Sequence, residues 1–424
     1  MHANINNDLG HKLTTIATKK FKTTVIKVAF KAPLERKTIT SRILLANVLR
    51  NSSKKYPTKK AFNTHLEELY GTHLSVSANK QGQAHTLKFY LSIANEKFLL
   101  SEPELLEAGI ETLGEMLFNP LVNGNAFSDA VLDLEKRLLK EEIDATYDDK
   151  TSYAVKKLVS HMCQDEKFGV TSTGYISDFA SIITTSLYET YQSMLNHDAI
   201  SISIVGDVEH EALKSMFVQK FELPKSSTES KVEAIDSEEK LITHVERVSE
   251  TQSIAQAKLN IGYRTHTRIN DEAYFALMVF NGIFGAFAHS KLFMNVREKH
   301  SLCYYCTSRV DSFKGLMYVY SGLDFKNCEM AEKIIDEQLK DIMTGNFTDK
   351  EMDLAKKSII NAKLESLDSA LGMITEQEVN DILGYELSAT RYAQKINAVT
   401  KEEVQKIAKR MIKDTVFTLT KEGV

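Results

Sequence analysis

Four groups of residues along the chain have types and spacings that invite chemistry. The stretch NVREKHSLCYYCTSR at 295–309 sets Cys303 and Cys306 three apart with His300 just upstream, which raises a redox or metal centre. Against it, the segment enters a strand at about Leu302. Side chains alternate faces there, so the two thiols are expected on opposite sides. No second CxxC completes a zinc site, and a thioredoxin-like pair would open a helix after a strand. SHMCQDE at 160–166 groups His161, Cys163 and Asp165, but free cysteines are commonly buried and inert. HLEEL at 65–69 carries a His-x-x-Glu whose fifth position, Leu69, cannot ligate a metal. A surface His65 among solvated glutamates is the plainer reading. His73 and His85 flank the hairpin that follows, and their spacing supports no site.

The elements that would position these residues fall into two similar series. The 424 residues are too many for one core and suit two domains. At 43% hydrophobic and 26% charged, with 5 prolines, the composition is that of an ordinary globular protein. No 18-residue apolar run exists, and the N-terminus has no h-region, so a soluble cytoplasmic protein is expected. Four scattered cysteines do not make a disulfide scaffold. Residues 1–60 hold fourteen Lys/Arg against Asp8 and Glu35, while the whole chain is at −4. Such a segment either meets an acidic partner or nucleic acid, or simply carries outward-facing lysines on strands such as KFKTTVIKVAFKA. Without interleaved aromatics, nucleic acid is not expected.

Strand alternation at 20–32 gives way to helical periodicity at 39–50 and 59–71. A hairpin follows over 72–94, turning near Gln81-Gly82. Helices are expected at 103–118, 126–147 and 149–162, and a buried strand at 200–208. After an acidic, polar stretch the order restarts. A strand at 259–265 leads to helices over 271–285 and 290–300, a strand pair, helices at 329–345, 349–366 and 369–383, a last helix and a last strand. This duplication predicts an α+β chain of two homologous domains, each an antiparallel sheet flanked by helices. Residues 1–221 form the first, 222–240 a linker, and 241–424 the second.

Three local matches make the chain similar to the pitrilysin/insulinase-type (M16) zinc peptidases. GIFGAFAHSKLFMNVREKHSLCYYCTS resembles the family's Gly-rich turn and Arg…Tyr signature. ISIVGDVEHEAL resembles the strand closing its first domain. LEKRLLKEEIDATYDDK resembles the helix giving its third zinc ligand. In that family His-x-x-Glu-His puts two imidazoles on one helical face and a Glu beside the metal-bound water. Aligning VLRNSSKK with the family's helix places Ile43, Ala46 and Asn47 where His, Glu and His belong. Glu142 falls at the third-ligand position, seven residues after Glu135. Such a set holds no zinc, so the resemblance implies a catalytically incomplete bacterial branch with no metal of its own.

The resemblance assigns the retained chemistry to Arg297 and Tyr304. In active members the matching pair reaches the substrate backbone and carbonyl beside the zinc, tasks that suit a guanidinium and a phenol. The plainer alternatives are an Arg297–Glu298 ion pair and hairpin packing of Tyr304. The family's three-glycine turn is here Gly285-Ala286-Phe287, and its peptide-binding edge strand corresponds to residues 70–77, with Leu74 in place of Asn. Short members divide the work between a zinc-bearing chain and a zinc-less one. The implied function is therefore the zinc-less subunit of a heterodimer whose intact-motif partner holds the zinc, with peptide as substrate. A homodimer, or a pseudoprotease scaffold that binds peptide without hydrolysis in a maturation or modification pathway, is the alternative. An active enzyme built on His161, Cys163 and Asp165 is the least supported reading.

Overall fold

The computed structural model describes residues 3–6, 11–100, 104–221 and 232–422, so residues 222–231 of the expected linker lie outside the described residues. Strands β1 (Ala3–Asn6), β2 (Lys12–Ala17) and β3 (Thr23–Pro33) lead into helices α1 (Ile39–Leu49) and α2 (Lys59–Glu68). The hairpin β4 (His73–Gln81) and β5 (Ala84–Ala94) follows, turning through Gly82 at φ +54°. Next come α3 (Leu105–Phe118), α4 (Asp129–Asp148), α5 (Lys150–Met162), α6 (Thr184–His197), β6 (Ala199–Gly206) and α7 (His210–Lys220). The second half runs β7 (Glu246–Thr251), β8 (Ala257–Arg264), α8 (Tyr274–Asn281), β9 (Cys303–Asp311), β10 (Leu316–Leu323), α9 (Cys328–Thr344), α10 (Asp349–Ser366), α11 (Ala370–Leu383), α12 (Ala389–Ala398), α13 (Lys401–Arg410) and β11 (Ile412–Thr420). Helix starts are chemically marked: Thr58, Ser388 and Thr400 each cap a backbone N–H, and Thr400 with Glu403 closes a capping box.

Two sheets result, ordered β1-β2-β6-β3-β5-β4 and β7-β11-β8-β10-β9. Pairings are antiparallel except for one parallel pair in each, β2 with β6 and β7 with β11. The chain divides into two compact units that are not contiguous in sequence. The first gathers residues 1–143, 170–234 and 367–382; the second gathers 144–169, 235–366 and 383–424. Helix α11, from late in the chain, therefore belongs with the first sheet, and α5, from early in it, with the second.

In the first unit, α1, α3 and α6 cover one sheet face around Phe30, Phe89 and Ile202. Across part of the other face, Ala370, Met373 and Ile374 of α11 pack on Ile16, Val25 and Val205. Ion pairs surround that contact: Lys12 meets Asp381 at 2.5 Å, Lys20 meets Asp368, and Lys27 meets Glu378. The basic first segment thus finds an acidic partner within its own chain, some 350 residues on.

In the second unit, α5 lies against β8, β10 and β11, with Met162 seated directly on Gly262. A Cβ at residue 262 would sit 2.0 Å from the Met162 sulfur, so glycine is what lets the helix approach. A buried charge network fixes the turn after α5. Arg264 pairs with Asp414 at 2.6 Å and Glu166 at 2.7 Å, while Lys314 pairs with Asp236 at 2.7 Å and also with Glu166. Each buried ion has an opposite charge against it, the condition under which such groups are tolerated. Among the described residues no helix is long and apolar enough to cross a membrane.

Candidate functional site

Helix α1 carries Ile43, Ala46 and Asn47, the residues expected at the family's metal-ligand positions. Ile43 is 7% exposed and Ala46 2%, both part of the first core. Neither offers a lone pair, so the position is a hydrophobic packing surface, and the donor set does not fit zinc. Asn47 is half-buried, and its backbone carbonyl accepts from the Asn51 side-chain amide at 2.7 Å. That amide also donates to Glu135 Oε1 at 2.8 Å. Glu135, on α4, is 1% exposed, and its other oxygen lies 3.8 Å from Arg50. Burial raises the Glu135 carboxyl above the usual range, with Arg50 and Asn51 opposing. Glu142 is exposed on the same helix. The carboxylate drawn into the α1–α4 contact is therefore Glu135, which residue spacing marked only as a reference point.

A second buried group beside α1 has no signal in the sequence. Arg42 pairs with Asp198 at 2.7 Å, donates from Nε to His85 Nδ1 at 3.2 Å, and reaches the Phe30 carbonyl at 3.3 Å. Burial, helped by the Arg42 charge, lowers the His85 pKa to about 3, so its ring is neutral. His65 is not the solvated residue the sequence predicts. Its ring stacks on Tyr56 at 4.3 Å, and Nε2 lies 2.9 Å from the Thr112 hydroxyl. Its pKa is lowered, first by burial and then by Lys55. The His161–Cys163–Asp165 group is dispersed: Cys163 is buried in the core under α5, while His161 lies on Phe417 and 3.4 Å from Glu246. Among the described residues no three His, Cys, Asp or Glu side chains gather as a metal site would require.

In the second unit, the segment expected as helix 290–300 is helical and takes the wider π form over Phe293–Lys299. It closes where Ser301 takes φ +50° and the Leu302 N–H returns to the Val296 carbonyl at 3.1 Å. Arg297 stands exposed at its end, its guanidinium 4.6 Å over the Phe293 ring and its Nε 3.6 Å from Glu298. The Arg297–Glu298 contact is thus present, though too exposed to hold the guanidinium firmly.

Strand β9, at the sheet edge, carries Tyr304 through a bulge. Cys303 opposes Leu323 and Tyr305 opposes Gly322, leaving Tyr304 as the extra residue. The bulge turns Tyr304 outward, 71% exposed, so it is not hairpin packing. Tyr305 instead packs inward, its ring against Gly322 and its hydroxyl 3.1 Å from Thr151. The same extra residue overturns the expectation for the cysteines. Cys303 and Cys306 both face the second core, and their thiols hydrogen-bond each other. That bond, with the Arg297 field, lowers the Cys303 pKa against the effect of burial, and Cys306 is raised. A strict two-residue alternation would have separated them; one inserted residue restores a shared face. Of the Gly285-Ala286-Phe287 turn, Gly285 is buried and the other two residues are half-buried. Gly285 lies in a π-type turn, with the Ser308 hydroxyl only 2.5 Å from where a Cβ would stand.

Two helix-flanked mixed sheets, without a cluster of metal-binding side chains among the described residues, are the frame on which the family comparison rests. Residues 181–359 match the family described as Peptidase M16 inactive domain. Over 404 residues, 95% of this chain and 94% of the relative, the sequence is 38% identical to the probable inactive metalloprotease YmfF of Bacillus subtilis. The chain belongs to the M16 peptidase family. It is also 25% identical, over 71% of its length and 72% of the relative's, to the uncharacterized zinc protease YmxG of Bacillus subtilis. A crystal structure of a conserved protein from Enterococcus faecalis superposes with a TM-score of 0.92 at 32% identity, each chain covered fully.

Proposed function

We propose that the protein is the zinc-less subunit of a cytoplasmic, heterodimeric M16 peptidase, contributing Arg297 and Tyr304 to peptide binding. The observation that carries this reading is the contrast between its two candidate regions. Ile43 and Ala46, at two of the expected metal-ligand positions, are core, whereas Tyr304 projects from a bulged edge strand and Arg297 from the π segment before it. A side chain kept for packing alone has no reason to stand 71% exposed. Arg297 would hold substrate backbone carbonyls, and the Tyr304 phenol would donate to the oxyanion as the peptide carbonyl is attacked. The zinc would be the partner chain's. The pair of Bacillus subtilis relatives supports this division, since one organism has both a probable inactive chain and one titled a zinc protease.

The test is peptide hydrolysis by this chain alone, by an intact-motif sister chain alone, and by the mixture. Activity should require the mixture. Tyr304→Phe should lower its kcat/KM by about tenfold or more, with subunit association and thermal stability unchanged; removal of one oxyanion donor commonly costs 10²–10³. Arg297→Ala should act mainly on KM. If the mixture is no more active than the sister alone, yet this chain binds peptide, it is a pseudoprotease scaffold.

A further inference from the structure

The first sheet shows a polar face that the metal-site comparison does not use. Val28 and Phe30 of β3 and Leu87, Phe89 and Leu91 of β5 point into the core. The alternate residues therefore face the other way, in three cross-strand rows: Lys27–Tyr90–Ser75, Ala29–Lys88–Ser77 and Lys31–Thr86–Asn79. Helix α11 covers this face over β2, β6 and the start of β3, leaving these rows beside the free edge strand β4.

The rows hold three lysines and too little negative charge. Lys27 is 2% exposed, pairs with Glu378 and lies 5.8 Å from the centre of the Tyr90 ring. Elsewhere in the basic first segment, Lys12 and Lys20 each have an aspartate from the α11 region. Lys31 and Lys88 are half-buried, and among the described residues neither makes an ion pair or hydrogen bond. Glu378 is the carboxylate whose field reaches Lys31 as well as Lys27, while Lys88 repels Lys27. Burial lowers the pKa of both Lys27 and Lys31, the response of ammonium groups whose lost hydration is not made good by anions.

We propose that this face is an acidic-residue subsite: Lys88, with Ser75 and Ser77 and in the field of Lys31 one strand further in, receives the carboxylates of a peptide paired along β4. It rests on the peptide-binding reading above and adds to it a substrate class. A peptide added to the β4 edge alternates its side chains over the same face. Strand spacing sets those side chains roughly 10 Å from the β5 row, within the joint reach of a glutamate and a lysine. An ammonium already stripped of water gains more from an incoming carboxylate than a solvated one does. A polypeptide is favoured over nucleic acid because the rows adjoin an unpaired strand edge and offer one aromatic, Tyr90, already covered by Lys27.

The experiment is fluorescence anisotropy on the full chain with three labelled twelve-residue peptides, identical but for Glu, Gln or Lys at alternate positions. The Glu peptide should bind at least tenfold more tightly than the Gln peptide at low ionic strength, and the Lys peptide most weakly. In the Lys31→Gln/Lys88→Gln variant that preference should fall below about twofold, while Gln-peptide affinity and thermal stability stay as in the wild type. Lys88→Glu alone should reverse the order. Equal affinity for the three peptides, or a preference that survives the double variant, overturns the subsite and leaves peptide binding standing. Binding of no peptide overturns both. Displacement of the Glu peptide by a single-stranded oligonucleotide of equal charge, at equal concentration, overturns the choice of a polypeptide ligand.

Discussion

At the scale of single residues, what a side chain can ligate or donate is legible in the sequence because it depends on identity. An isoleucine and an alanine have no donor in any fold. What identity alone does not give is the direction of a side chain, and there one inserted residue changes the outcome. Tyr304 projects, and Cys303 joins Cys306, because β9 bulges where regular alternation was assumed. His85 shows the same limit: nothing in its spacing signals that Arg42 and the core will hold it neutral. That environment gives a pH dependence. The folded His85 pKa of about 3 lies well below its unfolded value near 6.5, so the unfolded chain binds the extra proton. This contribution to stability is complete above pH 6.5 and is lost as pH falls from there toward 3. The slope approaches about 1.4 kcal/mol per pH unit for one group. Urea midpoints measured from pH 7.5 down to 4.5 should fall more steeply for the wild type than for His85→Gln, whose amide oxygen can still accept from Arg42. Parallel curves would assign the acid lability to other groups.

At the scale of elements, the long helices and the central hairpin follow from periodicity and turn residues, so most of the skeleton is readable in advance. The segments without an expected element include β1, β2, β7 and helices α6, α7 and α12, and two expected helices take a π form over part of their length. Strands β2 and β7 hold their places through partners far away in sequence, and β7 is edge-on with an alternating, half-polar pattern. The π-type turns at 282–286 and 293–299 look like ordinary helix because their apolar residues recur at nearly the same intervals. Packing between elements is set by a few small residues, and Gly262 is the sharpest case. Gly262→Ala places a methyl where the Met162 side chain lies, and overpacking of this sort costs about 1–3 kcal/mol. Because the clash is with a side chain rather than backbone, a second change should relieve it. The Gly262→Ala/Met162→Ala double variant should then be less destabilised than the sum of its single variants, by at least ~1 kcal/mol in chemical denaturation. Strict additivity would mean that α5 does not approach β8 through this pair.

For the whole molecule, the sequence duplication is real, but it does not disclose which helix serves which sheet. Each half sends one helix to the other unit: α5 to the second sheet and α11 to the first. The apolar contact of α11 is modest, three of its residues on three of the sheet's, and the ion pairs to Lys12, Lys20 and Lys27 set its register. Pairs separated by more than 340 positions in sequence are beyond any local pattern. The exchange has a consequence for dissection. A fragment spanning residues 1–221 keeps the first sheet and its main core but loses α11, uncovering Ile16, Val25 and Val205 together with the buried ammonium of Lys27. Removing the partner of a buried charge commonly costs 3–5 kcal/mol, a large part of the stability of a domain this size. The fragment should therefore be aggregation-prone or partly unfolded. A synthetic peptide covering residues 365–385 should restore a cooperative thermal transition in trans. The same peptide carrying Glu378→Lys and Asp381→Lys should fail to do so. A fragment that melts cooperatively without the peptide would show that α11 is dispensable to the first sheet, and that its ion pairs are surface decoration rather than the closure of the fold.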